Sequence, residues 1–162
     1  MPLRARQVLI AFVALAFSPG CAVIGDKAPP LDWKATLPAA ISAAQSASRP
    51  ILVLAGAAWC PSCRRLEKET LAHPATRALL NDFVLLRVDV DESLALAERF
   101  GAGMVPTLVI LDSAGKVLLA NVGFQERTAF AQFLEQGAAL AAAGPEHPRN
   151  TAPGPSLPQD LS

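Results

Sequence analysis

The sequence predicts an α/β domain, with a mixed central sheet, helices on both faces and one extra helix ahead of the first strand. Three observations lead there. Ile51 to Ala55 is a continuous apolar run, as expected of a strand buried on both faces. Helical and strand-like segments follow in the order helix, strand, helix, strand, helix, strand, strand, helix. The last two strands are separated only by a Gly-containing turn. They therefore form a hairpin and add an antiparallel edge to strands that are otherwise parallel.

Each element has its own warrant. Asp32 is placed to cap a helix running to about Ser48, with Trp33, Leu37 and Ile41 on one face. Pro38 inside that span calls for a late start or a kink, and Arg49-Pro50 ends it. Ser62 to Leu71 reads as helix, with Pro61 suited to its first turn. A short helix from about Pro74 to Leu80 precedes a second strand, Phe83 to Val90. Leu94 to Phe100 is a short helix closed by Gly101. Thr107 to Asp112, the turn Ser113-Ala114-Gly115, and Lys116 to Asn121 make the hairpin. Gln125 to Ala142 carries Phe130, Phe133, Leu134 and Leu140 at helical spacing, and Gly144-Pro145 stops it.

The 162 residues allow one domain, taken as 32–143, with a tail at each end. Hydrophobic residues make up 52%, enough for a real core. Net charge is zero and aromatics are only 6%, which leaves no electrostatic or stacking footprint for nucleic acid. The first 20 residues read as an export signal: Arg4 and Arg6, then the apolar run Val8 to Phe17, then Ser18-Pro19-Gly20. That run is far shorter than the roughly 20 residues a bilayer span needs. Residues 21–31 read as a tether, and 144–162, with Pro145, Pro148, Pro153, Pro155 and Pro158, as a disordered tail.

The chemistry is concentrated in Trp59-Cys60-Pro61-Ser62-Cys63, directly after the buried strand. Two cysteines two residues apart at a strand–helix junction make a redox dithiol. Cys60 lies where unpaired N–H groups and the helix dipole favour a thiolate, expected to titrate well below the usual 8.5 or so. Cys63, about one turn along and expected to be the more buried, can attack the first sulfur in a mixed disulfide. The competing readings are a structural disulfide, inert core thiols, or half of a metal site. A closed zinc site needs two further ligands. Only His73 and the tail residue His147 are histidines, so no metal or cofactor is assigned.

Trp-Cys-x-x-Cys, together with Met104-Val105-Pro106-Thr107 downstream, resembles the thioredoxin superfamily. Glu67 to Pro74 is similar to the C-terminal domain of DsbD-type thiol:disulfide interchange proteins. The resemblance covers roughly Asp32 to Ala142 and implies a thioredoxin fold. It implies a cis peptide before Pro106, with the backbone at Val105 free to pair with an extended substrate segment. It implies a supporting role for Trp59, packed against the site and shielding Cys63. Thioredoxin proper has a buried aspartate where Leu54 stands and a lysine partner at a position matched approximately to Leu85, so both polar members are absent together. Glu67, one helical turn beyond Cys63, is then the candidate for assisting proton transfer there. Cys21, after Pro19-Gly20, resembles a bacterial lipoprotein processing site; the plainer reading is an ordinary signal peptide with an incidental cysteine.

These readings converge on an exported thiol–disulfide oxidoreductase of the periplasm, anchored through a lipidated Cys21. It would exchange electrons with protein thiols and disulfides, act as a reductant and draw on a membrane electron donor. Two other classes stay open: a thioredoxin-like copper(I) carrier using the same dithiol, and an adaptor whose Pro-rich tail binds a partner.

Overall fold

The computed structural model describes residues 29–144; the signal segment, Cys21, His147 and the Pro-rich tail lie outside the described residues. The elements are β1 (Trp33–Lys34), α1 (Leu37–Ala47), β2 (Ile51–Gly56), α2 (Pro61–Arg65) and a π-helical turn (Leu66–Leu71). After these come α3 (Pro74–Leu80), β3 (Val84–Asp89), α4 (Leu94–Arg99), β4 (Thr107–Leu111), β5 (Val117–Val122) and α5 (Arg127–Ala142). The five strands lie in the order β1-β3-β2-β4-β5. β1, β3 and β2 are parallel, while β4 runs antiparallel to β2 and β5 antiparallel to β4.

The first helix differs from the sequence expectation. Asp32 does not cap it, and Trp33 is not on it. Thr36, in extended conformation, is the cap, and its hydroxyl accepts the Ala39 N–H at 3.4 Å. Pro38 falls in the first turn, where its missing N–H costs nothing. The displaced residues Trp33 and Lys34 form β1, which pairs with Leu85 and Leu86 at the sheet edge. A two-residue strand has too little period to be read from sequence. The helix ends at Ser48, which takes a left-handed conformation (φ 53°) before Arg49-Pro50.

β2 is buried along its whole length, as its continuous apolar run requires. Its side chains alternate between two cores. Ile51, Val53 and Ala55 face α1 and α4, meeting Leu37, Ala40, Ala44, Ala97 and Phe100. Leu52 and Leu54 face the opposite layer, meeting Leu66 and Leu71 of the π-helical turn, Leu80 of α3, and Phe130, Phe133 and Leu134 of α5. The β4–β5 hairpin turns on Asp112, whose carboxylate accepts the N–H groups of Ala114 and Lys116, both at 2.9 Å. Gly115 completes that turn at φ 87°, a conformation side chains disfavour.

This topology fixes where chemistry can occur. Gly56 pairs with Asp89 at the C-terminal ends of the parallel strands β2 and β3. Ala55 pairs with Thr107 at the start of the antiparallel strand β4. The segments after β2, after β3 and before β4 therefore meet at one edge of the sheet.

Candidate active site

The loop leaving β2 reaches Cys60 through a tight turn, with the Cys60 N–H on the Ala57 carbonyl at 3.2 Å. Cys60 then caps α2 with its own sulfur, which accepts the Cys63 N–H at 3.1 Å. Pro61 opens the helix. Arg64 reaches back from the helix to the Ala58 carbonyl at 2.7 Å and fixes the loop to it. Cys60 and Cys63 are joined by a disulfide, with Cα atoms 5.3 Å apart. The Ser62 hydroxyl lies 3.3 Å from the Cys60 sulfur and 3.5 Å from the Val105 carbonyl oxygen.

The neighbouring loops complete the site. The Val105–Pro106 peptide bond is cis. Val105 and Val90 pack against a small cluster of Ala57, Cys60 and Cys63. Both cysteines are 2% exposed. The sequence ranked Cys63 as the more buried; the structure makes the two equal. Position along the helix says which sulfur is at its end, but not how far the loops from β3 and β4 cover it.

Trp59 also departs from expectation. Its side chain is 62% exposed, and it is not part of the cluster around the cysteines. Its indole N–H donates to the Asp91 carboxylate at 2.8 Å instead. A polar partner at the rim holds the ring outward. Met104, in the segment before β4, is likewise exposed.

The register across β2 and β3 corrects a further reading. Leu54 pairs with Arg87, while Leu85 pairs with Leu52. Leu85 and Arg87 lie on the same face of the strand, so a slip of two residues leaves the alternation intact and the error invisible. A basic residue, Arg87, therefore stands opposite Leu54. Arg87 is paired with Glu67 at 2.5 Å, both side chains being partly exposed. The structure thus brings Cys60, Cys63, Val105 and Pro106 together and joins Glu67 to β3.

Sequence reasoning missed Asp91, Arg64 and the hydroxyl of Ser62. Asp91 carried a signal: parallel neighbours finish at the same sheet edge, so a polar residue just past β3 belongs beside the loop after β2. Among the described residues, no group of three His, Cys, Asp or Glu side chains is placed to hold a metal ion. Likewise, no helix there is long and apolar enough to cross a membrane.

The amino-acid sequence matches the thioredoxin-like family over residues 32–113. The chain belongs to that family. It is similar to the thiol:disulfide interchange protein DsbD of Ralstonia nicotianae, with 32% identity over 65% of this chain. DsbD 1 of Pseudomonas aeruginosa shares 36% identity over 56% of it. These stretches span only 18% and 17% of the two relatives. Among solved structures, a thioredoxin from Thermus thermophilus is 30% identical, with a TM-score of 0.63 over 70% of this chain and 91% of that one. The oxidised C-terminal domain of Neisseria meningitidis DsbD shares the fold: TM-score 0.56, 23% identity, 65% of this chain and 99% of that one. Family, disulfide and fold agree on thiol–disulfide exchange as the chemistry of this domain.

Proposed function

We propose that the protein is an exported thiol–disulfide oxidoreductase acting as a reductant of protein disulfides in the periplasm. The observation that carries this reading is the Cys60–Cys63 disulfide at a helix start, packed against Val105 beside cis Pro106. In the reduced form, the Cys60 thiolate attacks a substrate disulfide. One substrate thiolate leaves, and Cys60 is held in a mixed disulfide. Cys63 loses its proton and attacks the Cys60 sulfur, releasing the second substrate thiolate. The protein gives up two electrons; one proton comes from Cys63 and the other from solvent, which took it when Cys60 ionised, and the substrate disulfide becomes two thiols.

The supporting roles follow from position. The Val105 backbone receives an extended substrate segment, and Trp59 with Met104 offers it an apolar rim. Glu67 assists proton loss from Cys63. The similarity to DsbD supports the reducing direction and a membrane protein as electron donor. Cys21 is the lipid attachment point, on the sequence pattern alone.

The test is the equilibrium potential of the Cys60–Cys63 pair in a chain starting at Ala22. A value near −270 mV, the region of thioredoxin, is expected. A value near −120 mV would make the protein an oxidant and overturn the direction. Failure to form the disulfide, with stoichiometric copper(I) binding, would replace exchange by metal carriage.

A further inference from the structure

The Ser62 hydroxyl stands between the two parts of the site. It is 3.3 Å from the Cys60 sulfur and 3.5 Å from the Val105 carbonyl. The first contact is local, because Ser62 and Cys60 share one helical turn; the second reaches across to the segment before β4. The hydroxyl carries a single proton and can donate to one acceptor at a time. In the disulfide form, neither sulfur carries a proton, so Ser62 is the donor in any bond between them. A disulfide sulfur is a weak acceptor and a peptide carbonyl a better one. A thiolate, being charged, is the strongest of the three.

We propose that Ser62 is a catalytic hydrogen-bond donor that stabilises the Cys60 thiolate, and that it turns from the Val105 carbonyl to that sulfur when the disulfide is reduced. This rests on the reading of Cys60 as the attacking thiol. The hydroxyl adds a second donor to the Cys63 N–H already on the Cys60 sulfur at 3.1 Å. It also ties the charge on Cys60 to the loop that would receive substrate. As Cys60 becomes a thiolate, the Val105 carbonyl is released for an incoming backbone N–H. When Cys60 enters a mixed disulfide the charge is gone, and the proton is free to return.

The surroundings leave this hydroxyl little competition. Ala57, Val90 and Val105 pack on the cysteines and carry no charge. Cys63 is the other titratable group in that cluster. Most charged side chains of the adjoining segments have partners elsewhere: Arg64 on the Ala58 carbonyl, Arg65 with Glu69, Asp89 on the Asp91 N–H, Asp91 on Trp59, and Glu67 with Arg87; Glu92 is exposed.

The experiment measures the rate of iodoacetamide alkylation of Cys60 against pH in the reduced full chain. Peptide masses assign the label to Cys60 rather than Cys21 or Cys63. Wild type is compared with Ser62→Ala and Ser62→Thr. A donor to the thiolate lowers the thiol's midpoint, so its removal raises it. Ser62→Ala is expected to move the midpoint up by about one pH unit. Ser62→Thr, which keeps the hydroxyl, should stay near wild type, and it also controls for any change in packing. Coincident midpoints for wild type and Ser62→Ala would overturn the proposal, as would an equal rise in both variants. A wild-type Cys60 no more reactive at pH 6 than free cysteine would sink the reading of Cys60 as nucleophile, a distinct failure.

Discussion

The two halves of the segment from Pro61 to Leu71 are held in opposite ways. The first half is organised by bonds within a few residues: Cys63 N–H to the Cys60 sulfur, Ser62 to the same sulfur, and Arg64 to the Ala58 carbonyl. The second half is a π-helical turn, with the Ala72 N–H on the Glu67 carbonyl at 2.9 Å. It is organised by partners distant in sequence. Glu67 takes Arg87 from β3, and the Thr70 hydroxyl donates to the Gln125 carbonyl at 2.7 Å. Leu66 and Leu71 are buried against the sheet. Reactive chemistry is thus encoded locally, and the platform that holds it is encoded globally.

The largest effect should come from the local half. Cys60→Ser is expected to reduce insulin-disulfide reduction to the uncatalysed background while the melting midpoint of the reduced protein stays close to wild type. Cys63→Ser should instead accumulate a mixed disulfide at Cys60, visible by mass. Substantial turnover in Cys60→Ser would mean the dithiol is not the working part, and the comparison would collapse.

Leu66→Ala probes the distant half. Leu66 is fully buried, so truncation removes transfer energy and leaves a cavity, a cost of about 2–5 kcal/mol. Chemical denaturation should show that loss, whereas Cys60 alkylation measured on the folded fraction should change little. A smaller version is Thr70→Val, which removes the donor to the Gln125 carbonyl and should cost about 1–2 kcal/mol. A fall in Cys60 reactivity in either variant, with stability unchanged, would show that the platform also tunes the thiol.

The same division explains what the sequence could disclose. The dithiol, its strand and its helix are short-range patterns, and the residues alone pointed to them; Pro106 was legible only through the family resemblance that Val105-Pro106-Thr107 carries. The hairpin was legible because Asp112 and Gly115 write their turn within five residues. β1 was not, since two residues have no period and their pairing with Leu85 and Leu86 depends on the finished sheet. Arg87 was missed for a related reason: the partner of Leu54 is set by the register between strands, which alternation fixes only to within two residues. Trp59 was misjudged because its Asp91 partner lies on the loop after another strand, which no short-range pattern around the cysteines discloses.

Glu67 is where the two halves meet. It belongs to the globally held turn, and its carboxylate is committed to Arg87, but it also follows Cys63 by four residues. Two variants separate the roles. Arg87→Ala removes the pair and keeps the carboxylate, whereas Glu67→Gln removes the charge itself. As a partly exposed ion pair the contact is worth at most about 1 kcal/mol, so both variants should melt close to wild type. The discriminating measurement is the rate at which Cys63 resolves a preformed mixed disulfide at Cys60. Glu67→Gln should slow that step by roughly tenfold or more if the carboxylate accepts the Cys63 proton. Arg87→Ala should leave it within about twofold, because the acceptor remains in place. Equal small effects from both would confine Glu67 to the platform and restore a strict separation between local chemistry and distant support.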